Sequence, residues 1–211
     1  MEVIGYIAIV LAIILFSMML HEIMHGLTAY VLGDDTAKLM GRLSLNPLRH
    51  IDPFMTILLP VILALSGLPI FGGAKPVPFN SNRIRYDEWG VALVAIAGPL
   101  TNLLLAFVAF GIYAVLGVGV NSTAGSILML FVSINLGFFA FNILPIPPLD
   151  GSRVLYALAP NFVRRAMEFI EGAGITLIFV IVLLASQAIG VLMSTIIGKI
   201  IWLFSVIFGV N

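Results

Sequence analysis

The sequence predicts an all-α integral membrane protein with about five to six hydrophobic segments. Its helices are joined by one re-entrant segment and one extended loop. Two observations carry this. Of 211 residues, 61% are hydrophobic and only 9% charged, with zero net charge, where an ordinary soluble domain has about 25% charged residues. The few charges are also bunched. None lies between Glu88 and Asp150, within Gly172–Gly198, within Val3–Leu20 or within Pro53–Ala74. About 20 apolar residues cross a bilayer as a helix. Too few charges remain to coat a soluble enzyme, and there is no basic stripe for nucleic acid.

The first segment runs from Ile4 to about Val31 and is uniformly apolar until His21, Glu22 and His25, with Gly33, Asp34 and Asp35 stopping it. Its acidic start at Glu2 and the lack of a small-residue cleavage site argue for a membrane segment rather than a signal peptide. A second, short segment covers about 54–68, broken by Pro60 and Gly67. Residues 72–88 form a Gly/Pro-rich loop that Pro76 and Pro78 keep extended. The next segment, about 89–116, contains the polar interruption Gly98-Pro99-Leu100-Thr101-Asn102. After a turn at 117–125, a further segment of about 126–144 meets Pro145, Pro147 and Pro148, which unwind it before Asp150.

Residues 160–171 are amphipathic, with Phe162, Ala166, Phe169 and Ile170 on one face. They suit either a helix in the membrane interface or a short cytosolic helix packed on the loops. Two last segments fill about 173–210, with a break near 187–190.

Nine of the ten Lys and Arg residues fall in 38–49, 75–85 and 153–165. All three stretches share the cytoplasmic face if 54–68 dips into the membrane and returns, as the positive-inside rule favours. The exception, Lys199, either snorkels or marks a shorter last segment. Tyr86 and Trp89 suit an interface or a core position. Small residues Ala92, Ala95, Gly98, Ala106 and Ala109 permit close helix packing.

His21-Glu22-Ile23-Met24-His25 is an H-E-x-x-H motif. At 100° per residue the three polar side chains share one helix face, so the histidines can grip one Zn²⁺ and Glu22 can take a proton from an activated water. A hydrogen-bonded polar cluster or a proton relay is the structural alternative. Ionisable groups in a membrane helix cost roughly 2.5–3.5 kcal/mol each by insertion scales, which favours a functional role. His21 lies ten residues before Val31, or roughly 15 Å from that helix end. Candidates for a third ligand are His50, Asp52 and Asp150, and topology favours Asp150. Asn142 either donates to a developing oxyanion or satisfies carbonyls freed by the prolines.

Four blocks together resemble the site-2 proteases, which are intramembrane zinc metalloproteases. They are His21–Ala29 (HEIMHGLTA), Gly72–Asn80 (GGAKPVPFN), Gly98–Asn102 (GPLTN) and Asn142–Gly151 (NILPIPPLDG). The stretch Arg42–Pro53 (RLSLNPLRHIDP) is similar to the compact prokaryotic branch without PDZ or CBS domains. The resemblance covers about residues 15–160. It implies zinc ligands His21, His25 and Asp150, one zinc per chain, Glu22 as catalytic base, and Asn142 at the oxyanion. It also implies that Gly98 and Asn102 shape the core beside the site. The implied organisation is a single membrane-embedded protease domain over 1–211, with a three-helix catalytic core at about 4–160 and a C-terminal helical hairpin at about 173–210.

The implied partners are the lipid bilayer and a transmembrane protein or peptide that unwinds locally. Residues 74–79 either pair with it as a strand or simply connect. The implied setting is the prokaryotic cell membrane with the site toward the cytoplasm. The rival readings are a transporter or ion channel, against which no internal repeat is found, and an inactive membrane scaffold, against which the intact motif argues.

Overall fold

A computed structural model describes residues 3–53, 58, 62, 75–173 and 184–210. Its regular elements are all helical: α1 (Val3–Val31), α2 (Thr36–Leu39), α3 (Asp87–Leu116), α4 (Thr123–Asn142), α5 (Asp150–Leu158), α6 (Asn161–Gly172) and α7 (Ser186–Phe208). Short 3-10 turns stand at Pro47–Arg49 and Ser81–Arg83. Helices α1, α3, α4 and α7 are long and apolar enough to cross a membrane. The chain is thus an all-α membrane protein, as its composition requires. The expected segment at 54–68 and the first of the two C-terminal segments lie largely outside the described residues.

The chain divides into two compact units, Met1–Gly98 and Pro99–Asn211. In the first, α1 runs unbroken through 29 residues rich in Leu, Ile, Met and Ala, whose apolar surface needs no water. It stops at Gly33, whose φ of +112° suits a residue without a β-carbon. Asp34 then turns the chain into α2, its carboxylate accepting from the Thr36 hydroxyl at 2.6 Å and the Thr36 N–H at 3.1 Å. Ala29, Ile84 and Val94 form a small buried cluster.

In the second unit, Ser122 caps α4 by accepting from the Gly125 N–H at 3.0 Å. Ala106, Ala109 and Phe110 of α3 pack with Val132 and Leu136 of α4 and Phe204 of α7. The small residues of α3 therefore serve internal packing, and Phe204 lies 5.2 Å from Phe107, ring centre to ring centre. Asn102 and Asn135, both fully buried, join α3 to α4 through a 3.0 Å amide hydrogen bond.

Residues 98–102 lie within α3, which covers the expected segment and runs through Pro99, since one missing N–H does not break a helix whose neighbouring bonds hold. Some boundaries differ from expectation. Residues 187–190 lie inside α7, which starts at Ser186. Lys199 also lies inside that helix and is exposed, so the last segment is not shorter than its apolar run. Helix α5 was not expected. Residues 143–149 are non-helical, as the prolines require.

Tyr86 and Trp89 are exposed. On α6 the buried residue is Met167, while Phe162 and Phe169 point outward. Its charged residues reach α5 instead, through an Arg153–Glu171 ion pair at 3.1 Å and a Tyr156 hydroxyl donating to Glu168 at 2.6 Å.

Candidate metal centre

One turn of α1 separates His21 from His25, so their imidazoles rise from the same face. Their Nε2 atoms stand 2.9 Å apart, with the rings edge to face at 86°. Both are buried, as is Glu22 between them. One ligand atom from each of these three residues falls within 4.8 Å of the other two. Among the described residues they form the sole such group. His50 and Asp52, the alternative ligands in the same unit, do not belong to it.

The proton arrangement follows from the surroundings. His25 Nδ1 lies 2.8 Å from the carbonyl of Val94 on α3. A carbonyl only accepts, so Nδ1 carries the hydrogen and Nε2 of the neutral ring offers a lone pair. His21 Nε2 then donates to it across the 2.9 Å gap. A metal bound here would take the place of that proton, and the Val94 carbonyl would keep the ring in a ligating tautomer.

Helix α3 lies close against the site. A β-carbon on Gly98 would lie 2.5 Å from His25 Nε2 and 2.6 Å from His21 Nε2. Only glycine lets the helix backbone come this near the two nitrogens. Two convergent imidazoles and a fixed tautomer fit a borderline-soft divalent ion such as Zn²⁺.

Glu22 points its Oε2 at the Val77 N–H, 2.7 Å away. Val77 lies in the segment 75–80, which is neither helix nor strand. That segment is tied down by several bonds. The Lys75 N–H donates to His50 O at 2.8 Å, and the Asn80 N–H donates to Asp34 at 2.6 Å. Arg42 donates to the carbonyls of Lys75 and Pro76. Burial raises the Asp34 carboxyl, but hydrogen bonds from Thr36 and Asn80 and the charge of Arg83 outweigh it and hold the group below its ordinary value.

The remaining expected site residues belong to the second unit. Asp150 is the first residue of α5, half-buried, where the helix N-terminus favours a carboxylate. Asn142 ends α4 and spends one amide N–H on the carbonyl of Phe138 at 3.0 Å. Its second N–H is a separate donor. Asn102 is engaged with Asn135. The Val94 carbonyl, the Val77 N–H and Arg42 escaped sequence reasoning. The first two are main-chain groups, which no side chain announces. Arg42 gave a faint signal, as one of ten basic residues in a lipid-adapted chain.

The helices and the buried H-E-x-x-H face define a membrane protein with a metal-competent histidine pair. The chain belongs to peptidase family M50, the site-2 protease family, whose model matches residues 8–125 and 117–186. It is similar to "Putative zinc metalloprotease YwhC" of Bacillus subtilis, with 37% identity over 92% of this chain and 90% of that one. It is also similar to proteins named "Putative zinc metalloprotease Rip2". The one from Mycolicibacterium smegmatis is 31% identical, covering 88% of this chain and 70% of the relative. The one from Mycobacterium tuberculosis H37Rv is 29% identical over 95% and 74%. No solved structure matches significantly.

Proposed function

We propose that this chain is a zinc endopeptidase that hydrolyses peptide bonds of transmembrane proteins or peptides within the bilayer. The observation that carries the reading is the histidine pair, with both Nε2 atoms converging against the backbone at Gly98 and Glu22 alongside. Family membership and the names of the relatives support it.

His21, His25 and Asp150 hold one zinc per chain, which supplies a Lewis acid that acidifies water and polarises the scissile carbonyl. Glu22 is the general base. With Oε2 on the Val77 N–H, its Oε1 has no partner among the described residues and receives the proton of the attacking water. The same carboxyl group then delivers that proton to the leaving amine. The free amide N–H of Asn142 donates to the developing oxyanion.

The substrate's helix unwinds to expose its carbonyl. In residues 75–80 the N–H groups of Lys75, Val77 and Asn80 are already spent, and Pro76 and Pro78 have none. Strand pairing there is left to the N–H of Phe79 and the carbonyls of Val77, Pro78 and Phe79. The clustering of basic residues supports a site reached from the cytoplasmic face of a prokaryotic cell membrane.

Purified protein in detergent is expected to hold about one zinc per chain. Glu22→Gln should keep the metal and lose cleavage by about 10²–10⁴-fold. Asp150→Ala should lose the metal. Wild-type cleavage by Glu22→Gln refutes the general base, and undiminished zinc affinity in Asp150→Ala refutes the third ligand.

A further inference from the structure

Glu22 is held by a main-chain N–H, and the segment carrying that N–H has no regular structure to fix it. Residues 75–80 lie in neither helix nor strand. Pro76 and Pro78 flank Val77 and cannot themselves donate. The position of the Val77 N–H, 2.7 Å from Glu22 Oε2, therefore has to come from outside the segment.

Arg42 supplies it. The side chain is buried, and among the described residues it bonds to carbonyls alone. Nη2 donates to the carbonyls of Lys75 and Pro76, and Nη1 donates to the carbonyl of Arg49 at 2.6 Å. One guanidinium thus ties the two residues before Val77 to the 3-10 turn at Pro47–Arg49. The Lys75 N–H, donating to His50 O at 2.8 Å, closes the same junction. His50 is in turn fixed by Nε2 donating to Ser44 O at 2.8 Å. Gly26, the residue after His25, lets Val77 come this close: a β-carbon there would lie 2.9 Å from the Val77 side chain.

The geometry points to Arg42 as a positioning residue for the reaction. It fixes 75–77 so that the Val77 N–H holds the Glu22 carboxylate beside the histidine pair. This rests on the reading of Glu22 as the base. An arginine is required because three carbonyls from two chain segments are met by one planar fork, which a lysine ammonium cannot span. Arg42 touches neither metal nor substrate. Its loss should therefore misplace the base without emptying the metal site, while the Asn80 N–H on Asp34 still holds the 77–79 edge offered to substrate.

The test uses the full chain in detergent micelles, a single-span transmembrane peptide with a fluorophore–quencher pair, zinc analysis, and hydrogen exchange of the peptide spanning 75–80. Arg42→Lys should lower kcat about 10- to 100-fold, as a misplaced catalytic group does. KM should stay within about twofold, with zinc at the wild-type level. Val77→Pro removes the N–H that reaches Glu22 and should reproduce the kcat loss, which carries the test if Arg42→Lys fails to fold.

Exchange at Val77 should be faster in both Arg42→Lys and Glu22→Ala than in wild type. Wild-type kcat in Arg42→Lys or in Val77→Pro overturns the inference, as does a rise in KM alone. Unaltered exchange at Val77 in Arg42→Lys also overturns it. Full activity of Glu22→Gln removes the general-base reading instead, and the exchange comparison still reports whether Arg42 fixes the contact.

Discussion

Replacing Gly98 by alanine adds one methyl group to the middle of α3, and the structure gives its cost in distance. The new β-carbon would lie 2.5 Å from His25 Nε2, 2.6 Å from His25 Cε1 and 2.6 Å from His21 Nε2. These gaps fall about 0.8–0.9 Å short of ordinary van der Waals contact. Neither ring has a free direction, because both stand on one rigid turn of α1 and His25 is pinned to the Val94 carbonyl at 2.8 Å. Metal–ligand distances tolerate about 0.2 Å, so displacements of this size separate the two nitrogens as ligands. Perturbing a group behind a ligand lowers affinity about 10- to 100-fold. Displacing both ligands should reach at least the upper end.

The helix itself should not suffer, since alanine is favoured over glycine in a helix interior by about 1 kcal/mol. Chelator competition against zinc measures the affinity, and circular dichroism with thermal melting measures the fold. The expected result is a folded protein with about 100-fold weaker zinc binding. Wild-type zinc affinity in Gly98→Ala would refute the site as drawn.

Asn102→Ala should destabilise the protein by about 1–3 kcal/mol, because the buried side-chain oxygen of Asn135 loses the 3.0 Å hydrogen bond from the Asn102 amide. Reversible unfolding in mixed micelles would measure this, and an unchanged midpoint would count against the pair. Asp34 is held below its ordinary value of 3.8. Its contribution is therefore complete above about pH 4 and is lost as pH falls through the lower folded value. The melting-temperature gap between wild type and Asp34→Asn should stay constant from about pH 5 to 7 and narrow below about pH 4. The chain has no cysteine, so a cysteine placed at Asn82 can be labelled alone. An impermeant maleimide should reach it only from the cytoplasmic side, and labelling from outside would reverse the orientation.

The long helices were legible because their charge-free runs leave no other solution in lipid. Helix α1 ends where Gly33 and Asp34 say it should. The motif on α1 was legible because helical spacing alone aligns His21, Glu22 and His25. What escaped sequence reasoning is what depends on partners far along the chain. Residues 187–190 look like a gap, and α7 includes them. The burial of Met167 on α6, and the ion pair and hydrogen bond that tie its charged side to α5, leave no mark in the amphipathic pattern. Arg42 reads as one more basic loop residue until its three carbonyl partners are seen.

The contact between His25 and Val94 has a consequence for how this centre tolerates change. Its acceptor is a peptide carbonyl, which every amino acid at position 94 provides. Substitutions there alter only the buried side chain, so a mutational scan would score the position as ordinary core. What the centre cannot absorb is a shift of α3 along α1, since that would exchange one carbonyl for another and release the ring. The register of two helices, rather than the identity of a residue, is what inheritance has to preserve at this point.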